Sequence, residues 1–183
     1  MKIPYFNPSL GEDEIKAAAA VIKSGWLTTG SVASEFERSF LEAIECDGYA
    51  LSVNSATSAL HLALDAAGIG KGDEVIVPSL TFTSTAEVVR YVNATPIFAD
   101  CNSNDLCINM DHTKRLISSR TKAIIPVHFG GFPAQIKALK NLAKEFNIKI
   151  IEDAAHAFPT KTEGAFVGNH GLTATCFSFY ANK

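Results

Sequence analysis

The feature that most limits what this chain can fold into is a rhythm that begins at Tyr49, where short apolar runs start to alternate with stretches long enough for a helix. The runs 50–53, 74–77, 96–99, 123–127, 148–151 and 175–179 read as strands; 57–67, 84–92 and 134–146 read as helices between them. Strands apolar along their whole length need cover on both faces, so the pattern predicts repeated βαβ units in an α/β fold with a mainly parallel sheet. Right-handed crossovers then gather the carboxyl ends of the strands on one edge, and ligands of such sheets collect there. Ahead of this rhythm, residues 12–24 begin acidic, contain four alanines and are followed by Gly25, which predicts a helix. A second helix is expected over 32–45, with Phe36, Phe40, Leu41 and Ile44 on one face. The expected organisation is a helical segment over 1–46 followed by an α/β unit over 47–183.

Composition narrows the function classes. With 183 residues, 47% hydrophobic and 19% charged, the chain can bury one sizeable core. A net charge of -3, with no dense run of Lys or Arg, argues against a nucleic-acid partner. Met1-Lys2-Ile3-Pro4-Tyr5 has no apolar h-region and the apolar runs are strand-length, so no membrane association is expected. Cys46, Cys101, Cys107 and Cys176 form no CxxC pair and no zinc-type spacing with the five histidines. Reduced thiols in a cytoplasmic protein without a bound metal are expected.

Four segments just past predicted strands carry candidate chemistry. Asn54-Ser55-Ala56-Thr57-Ser58 runs into a helix, and free N–H groups beside small hydroxyls at a helix start suit an anion such as phosphate; an ordinary Ser/Thr cap is the plainer reading. In Ser79-Leu80-Thr81-Phe82-Thr83, Phe82 could stack on a flat heterocycle, although a lone Phe more often belongs to a core. In Glu152-Asp153-Ala154-Ala155-His156, two acids end a buried-looking strand, and a carboxylate there needs a cation or several donors, such as a bound cationic ring nitrogen. His156 reaches the same ligand if a helical turn begins at Asp153; a capping Asp with a satisfied histidine is the alternative. Finally, Ser178 is followed five residues later by Lys183, whose amine could act as a nucleophile if its pKa were lowered, against the alternative of a solvated surface charge.

Taken in order, these segments resemble the DegT/DnrJ/EryC1/StrS sugar aminotransferases, pyridoxal-phosphate-dependent enzymes of fold type I. The resemblance is carried by Gly25-Trp26-Leu27-Thr28-Thr29-Gly30, Phe36-Glu37, Asn54-Ser55-Ala56-Thr57, Ala59-Leu60-His61, Pro78-Ser79, Thr81-Phe82, Val127-His128, Glu152-Asp153-Ala154-Ala155-His156-Ala157 and Cys176-Phe177-Ser178-Phe179-Tyr180 up to Lys183. It implies the large domain of that fold, with pyridoxal 5'-phosphate as cofactor. Ala56, Thr57 and Ser178 would hold the phosphate, Phe82 would pack on the ring, and Asp153 would pair with the ring nitrogen. His156 stands where many relatives have glutamine, near the ring hydroxyl, and Lys183 would bind the cofactor covalently. The implied reaction takes an amino group from an amino acid, usually glutamate, to a nucleotide-linked keto-sugar, in a cytoplasmic homodimer serving polysaccharide biosynthesis.

The resemblance also sets an expectation about the end of the chain. Only Ala181-Asn182-Lys183 follow the last predicted strand, so a large domain cut short, without the family's small C-terminal domain, is expected. The alternative is a non-catalytic remnant that at most binds the cofactor weakly. A sugar dehydratase of the same family, which replaces the lysine with histidine, is disfavoured by Lys183. A serine hydrolase lacks its GxSxG elbow, and Gly68-Ile69-Gly70-Lys71-Gly72 precedes a strand where a dinucleotide fingerprint would follow one.

Overall fold

The computed structural model describes residue 4 and residues 6–183; the rest of the segment read above as lacking an h-region lies outside them. Two helices come first, α1 (Glu12–Ser24) and α2 (Ser31–Ala43). In α1 the Glu14 carboxylate accepts the Gly11 N–H at 2.7 Å, satisfying one of the free amides at the helix start. The α2 face expected from sequence is used through Phe40, whose ring centroid lies 5.0 Å from Phe177, 5.5 Å from Phe158 and 5.9 Å from Phe179.

The α/β unit follows as α3 (Ala56–Ala66), β1 (Glu74–Pro78), α4 (Ser84–Tyr91), β2 (Thr95–Ala99), α5 (Met110–Leu116), β3 (Thr121–Ile124), α6 (Ile136–Phe146), β4 (Lys149–Ala154), the short hairpin β5 (Lys161–Thr162) with β6 (Ala165–Phe166), and β7 (Ala174–Phe177). β1, β2, β3, β4 and β7 form one sheet in the order β2-β1-β3-β4-β7, and all its pairings are parallel.

Strand alternation divides the core into two layers. Val75, Val77, Ala123, Ile125 and Ile151 pack on one face against Leu60 and Leu64 of α3 and Val88 and Val89 of α4. Ile76, Ile124 and Ile150 pack on the other against Leu139 and Leu142 of α6. Each fully buried Leu, Ile or Val contributes about 1.5–3 kcal/mol, so both helical layers are needed to hold the sheet. Among the described residues no helix is long and apolar enough to cross a membrane.

Two expectations are corrected. Residues 50–53 form no strand: Leu51 and Val53 are exposed, and the segment is held by Ser52, whose N–H and hydroxyl both donate to Glu37 at 2.7 and 2.8 Å. A strand needs a neighbouring ladder for its amides, and none among the described residues pairs with this one. Likewise no helical turn begins at Asp153, because β4 continues through Ala154 in register with Phe177 before the chain turns at Ala155 and His156.

Candidate active site

β4 carries two consecutive carboxylates just before its last residue, and the strand period sends them to opposite faces of the sheet. Glu152 is fully buried on the α6 face. It accepts from His128 Nε2 at 3.0 Å and from the hydroxyl of Thr175 on β7. The Nδ1 of His128 accepts the Ala134 N–H at 3.0 Å, so the ring proton resides on Nε2 and points at Glu152. The backbone of His128 adds a bond to the Asp153 carbonyl at 3.1 Å, and Asp153 N–H donates to Pro126 at 2.9 Å. Sequence reading had not singled out His128 or Thr175 as holding this edge.

Asp153 faces the α3 and α4 layer and is only 4% exposed. Its Oδ2 accepts the Thr85 hydroxyl at 2.8 Å, and its Oδ1 accepts the Ala155 N–H at 3.2 Å. Thr85 is in turn 2.7 Å from the Thr81 hydroxyl. No cationic side chain among the described residues forms an ion pair with it. A buried carboxylate with two donors and no counter-charge is costly by itself, and it suits a ligand that brings a positive charge or a proton. Its field is felt at the buried Cys176 opposite it in register: burial pushes that thiol up to about 12, with Asp153 and then Glu152 adding to the rise.

The helix start expected to bind an anion lies on the same edge. α3 packs against β4 and β7. Lys149, at the first position of β4, donates from Nζ to the carbonyl of Ala67 just past the other end of α3. The helix therefore runs antiparallel to the strands, and its first turn is carried to their carboxyl edge. There Ser55 caps Ser58 at 3.1 Å, while Ala56 and Thr57, both half-buried, have amides without an acceptor among the described residues. This leaves two donors of the kind that receive phosphate oxygens.

Phe82 lies between β1 and α4, 76% exposed, with its carbonyl accepting the Thr85 N–H at 3.1 Å. Ser178 follows β7 directly and its Oγ accepts the Tyr180 N–H at 3.3 Å. Lys183 is exposed, on a turn closed by its own N–H donating to the Tyr180 carbonyl at 2.9 Å. His156 ties three of these groups together: partial burial and then the Lys183 ammonium hold its pKa below the ordinary value, against the upward pull of Asp153. Asp153 and Lys183 thus each lie within electrostatic reach of His156. Ala56, Thr57, Phe82 and Ser178 share the edge without a direct bond to Asp153. No cluster of metal-ligating side chains occurs among the described residues.

Thr85 is the contact that sequence reading missed. Its signal is its place four residues after Thr81, which stacks two hydroxyls at the start of α4. Three threonines, Thr81, Thr83 and Thr85, crowd that segment, and only the tertiary structure selects one for Asp153.

Comparison with known proteins matches residues 8–183 to the DegT/DnrJ/EryC1/StrS aminotransferase family. Among solved structures, DesV from S. venezuelae, in complex with a ketimine intermediate, is 36% identical with a TM-score of 0.86, covering 92% of this chain and 46% of that one. Spr1654 from Streptococcus pneumoniae, assigned as a sugar aminotransferase and solved in its PLP-form, is 34% identical with a TM-score of 0.92, covering 100% of this chain and 50% of that one. A 3-amino-5-hydroxybenzoic acid synthase is 30% identical with a TM-score of 0.89, covering 97% and 47%. The chain spans about half the length of these structures.

Proposed function

The chain belongs to the DegT/DnrJ/EryC1/StrS aminotransferase family, and from that premise we propose that it carries the pyridoxal-phosphate site of a sugar aminotransferase. The reaction is transfer of an amino group from an amino acid, glutamate, to a nucleotide-linked keto-sugar. The reading includes a cytoplasmic homodimer acting in polysaccharide biosynthesis. One observation carries the fit to the cofactor: Asp153 is a buried carboxylate with no cationic partner among the described residues, on the edge that also bears the open amides of α3 and the amine of Lys183.

When bound, pyridoxal phosphate supplies an aldehyde that takes up amino groups and a cationic ring that accepts negative charge from the neighbouring carbon. Asp153 would hold the proton at the ring nitrogen, and the Thr85 hydroxyl fixes that carboxylate. Amides of Ala56 and Thr57, with the hydroxyls of Thr57 and Ser178, bind the phosphate. Phe82 packs on the ring and excludes water from that side. Lys183 would supply Nζ as the amine that holds the cofactor, and the same nitrogen would take up and return the substrate's carbon-bound proton.

Mixing the purified chain with pyridoxal phosphate should raise a near-visible band, and borohydride reduction followed by peptide mapping should place the label on Lys183. Absence of label from Lys183 defeats the assignment. For the reaction, glutamate and a keto-sugar nucleotide should release 2-oxoglutarate above a Lys183→Ala control. The likeness to 3-amino-5-hydroxybenzoic acid synthase favours a second reading of the acceptor as a non-sugar ring ketone. Turnover with such a ketone but with no keto-sugar nucleotide would decide for it.

A further inference from the structure

The chain itself decides which ring nitrogen of His156 carries a proton. Nδ1 accepts the Gly130 N–H at 3.2 Å, and a ring nitrogen that accepts has no proton of its own, so the hydrogen of the neutral imidazole resides on Nε2.

The donor is tightly held. Gly130 and Gly131 adopt φ of 60° and 85°, in the left-handed region where a side chain is strained. A Cβ built on Gly131 would lie 2.9 Å from the backbone oxygen of His156, so the turn and the His156 backbone are in direct contact. The Thr160 hydroxyl donates to the Gly131 carbonyl at 3.1 Å. At the head of the turn, His128 is fixed by Ala134, Glu152 and the Asp153 carbonyl. The polarity of His156 is therefore set by the same loop that closes the end of β4.

We propose that the Phe129–Gly131 turn is a positioning device that fixes His156 as the neutral Nε2–H tautomer, so that towards any bound ligand the ring is a donor at Nε2 and not an acceptor. The identity of the ligand rests on the cofactor reading above, whereas the polarity of the ring belongs to the chain alone. The groups around the imidazole act in one direction or the other. Lys183 disfavours a second cation, Asp153 favours one, and the Phe129 ring, with centroid 6.3 Å away, helps to desolvate it. Protonation would place a hydrogen on Nδ1 facing the Gly130 N–H, which breaks that bond and sets two cations side by side. Acid therefore releases His156 from the turn.

Nitrogen-15 NMR of the imidazole in the cofactor-free chain reads the proposal directly. The wild type should show the Nε2–H tautomer, titrating below an unfolded-chain histidine. Gly131→Ala should give mixed tautomers with the midpoint moved back up. Thr160→Val, which removes only the hydroxyl holding Gly131, should shift the same way by less and serves where Gly131→Ala does not fold. An Nδ1–H tautomer in the wild type, or an unchanged tautomer when the turn is disturbed, overturns the proposal.

Titration with pyridoxal phosphate supplies the second reading. His156→Gln keeps an N–H donor and should bind within about threefold of wild type, without its loss of affinity in acid, while His156→Leu should bind about tenfold more weakly. Equal affinities for the Gln and Leu variants overturn the donor role. If the wild type binds no pyridoxal phosphate while its tautomer and the effect of the turn stand, the cofactor reading fails and the polarity assignment survives.

Discussion

Replacing Thr85 with valine removes one hydroxyl at nearly constant volume, at a position with no exposed surface. Thr85 has a single hydroxyl proton and gives it to Asp153 Oδ2 at 2.8 Å, so the Thr81 hydroxyl, 2.7 Å away, must be the donor in their pair. Thr85→Val therefore leaves Oδ2 of a 4%-exposed carboxylate without its protein donor. Half-buried Thr81 can turn to water, so the lost bond to Asp153 dominates. A hydrogen bond to a charged group is worth about 1.5–3 kcal/mol net, and that range is the expected loss of stability in the cofactor-free chain. For a chain of this size it corresponds to a fall in Tm of about 3–12 °C. Thr85→Ser separates the hydroxyl from the packing: it keeps the donor and removes one methyl, at about 1 kcal/mol. Urea unfolding at neutral pH measures both, with the slope against denaturant unchanged if only stability moves. A valine variant no less stable than the serine variant would refute the assignment of Thr85 as the group that holds Asp153.

The pair on the opposite face gives a second expectation. His128→Leu leaves the buried Glu152 carboxylate with Thr175 as its one remaining side-chain donor among the described residues and should cost about 1.5–3 kcal/mol or more, whereas Glu152→Gln, which can still accept from His128 and donate to Thr175, should cost clearly less in the same urea assay. Cysteine reactivity supplies a third. Maleimide should label half-buried Cys46 and Cys101 in the folded chain, while Cys107 and Cys176, both buried and with thiols whose pKa is raised by that burial, should stay protected until urea unfolds them. Early labelling of Cys176 at neutral pH would contradict its placement beneath Asp153.

Much of the architecture is legible in local pattern. β1, β2, β4 and β7 and helices α1, α2, α3, α4 and α6 fall within a few residues of their expected bounds, because apolar runs and helical periodicity report burial that the fold then supplies. α5 and the β5–β6 hairpin escape that reading, since seven residues and two-residue strands are too short to show a period. Residues 50–53 mislead it for the opposite reason: the apolar character is present, but a strand exists only where a neighbour completes its hydrogen bonds, and Glu37 of α2 takes Ser52 instead.

At the candidate site the division is sharper. Sequence alone supplied the inventory and the expectation of a common edge: a hydroxyl-rich helix start, paired acids, a histidine and a lysine, each beside a predicted strand end and in the order of one family, although the strand expected at 50–53 before the helix start does not form. Only the tertiary structure decided which acid faces which layer, that Thr85 and not Thr81 or Thr83 reaches Asp153, and that Gly130 sets the proton on His156. These choices depend on contacts between residues remote along the chain, from 26 positions for Gly130 and His156 to 68 for Thr85 and Asp153. Local propensity carries no information about such pairs; the geometry of the parallel sheet and its crossovers supplies it.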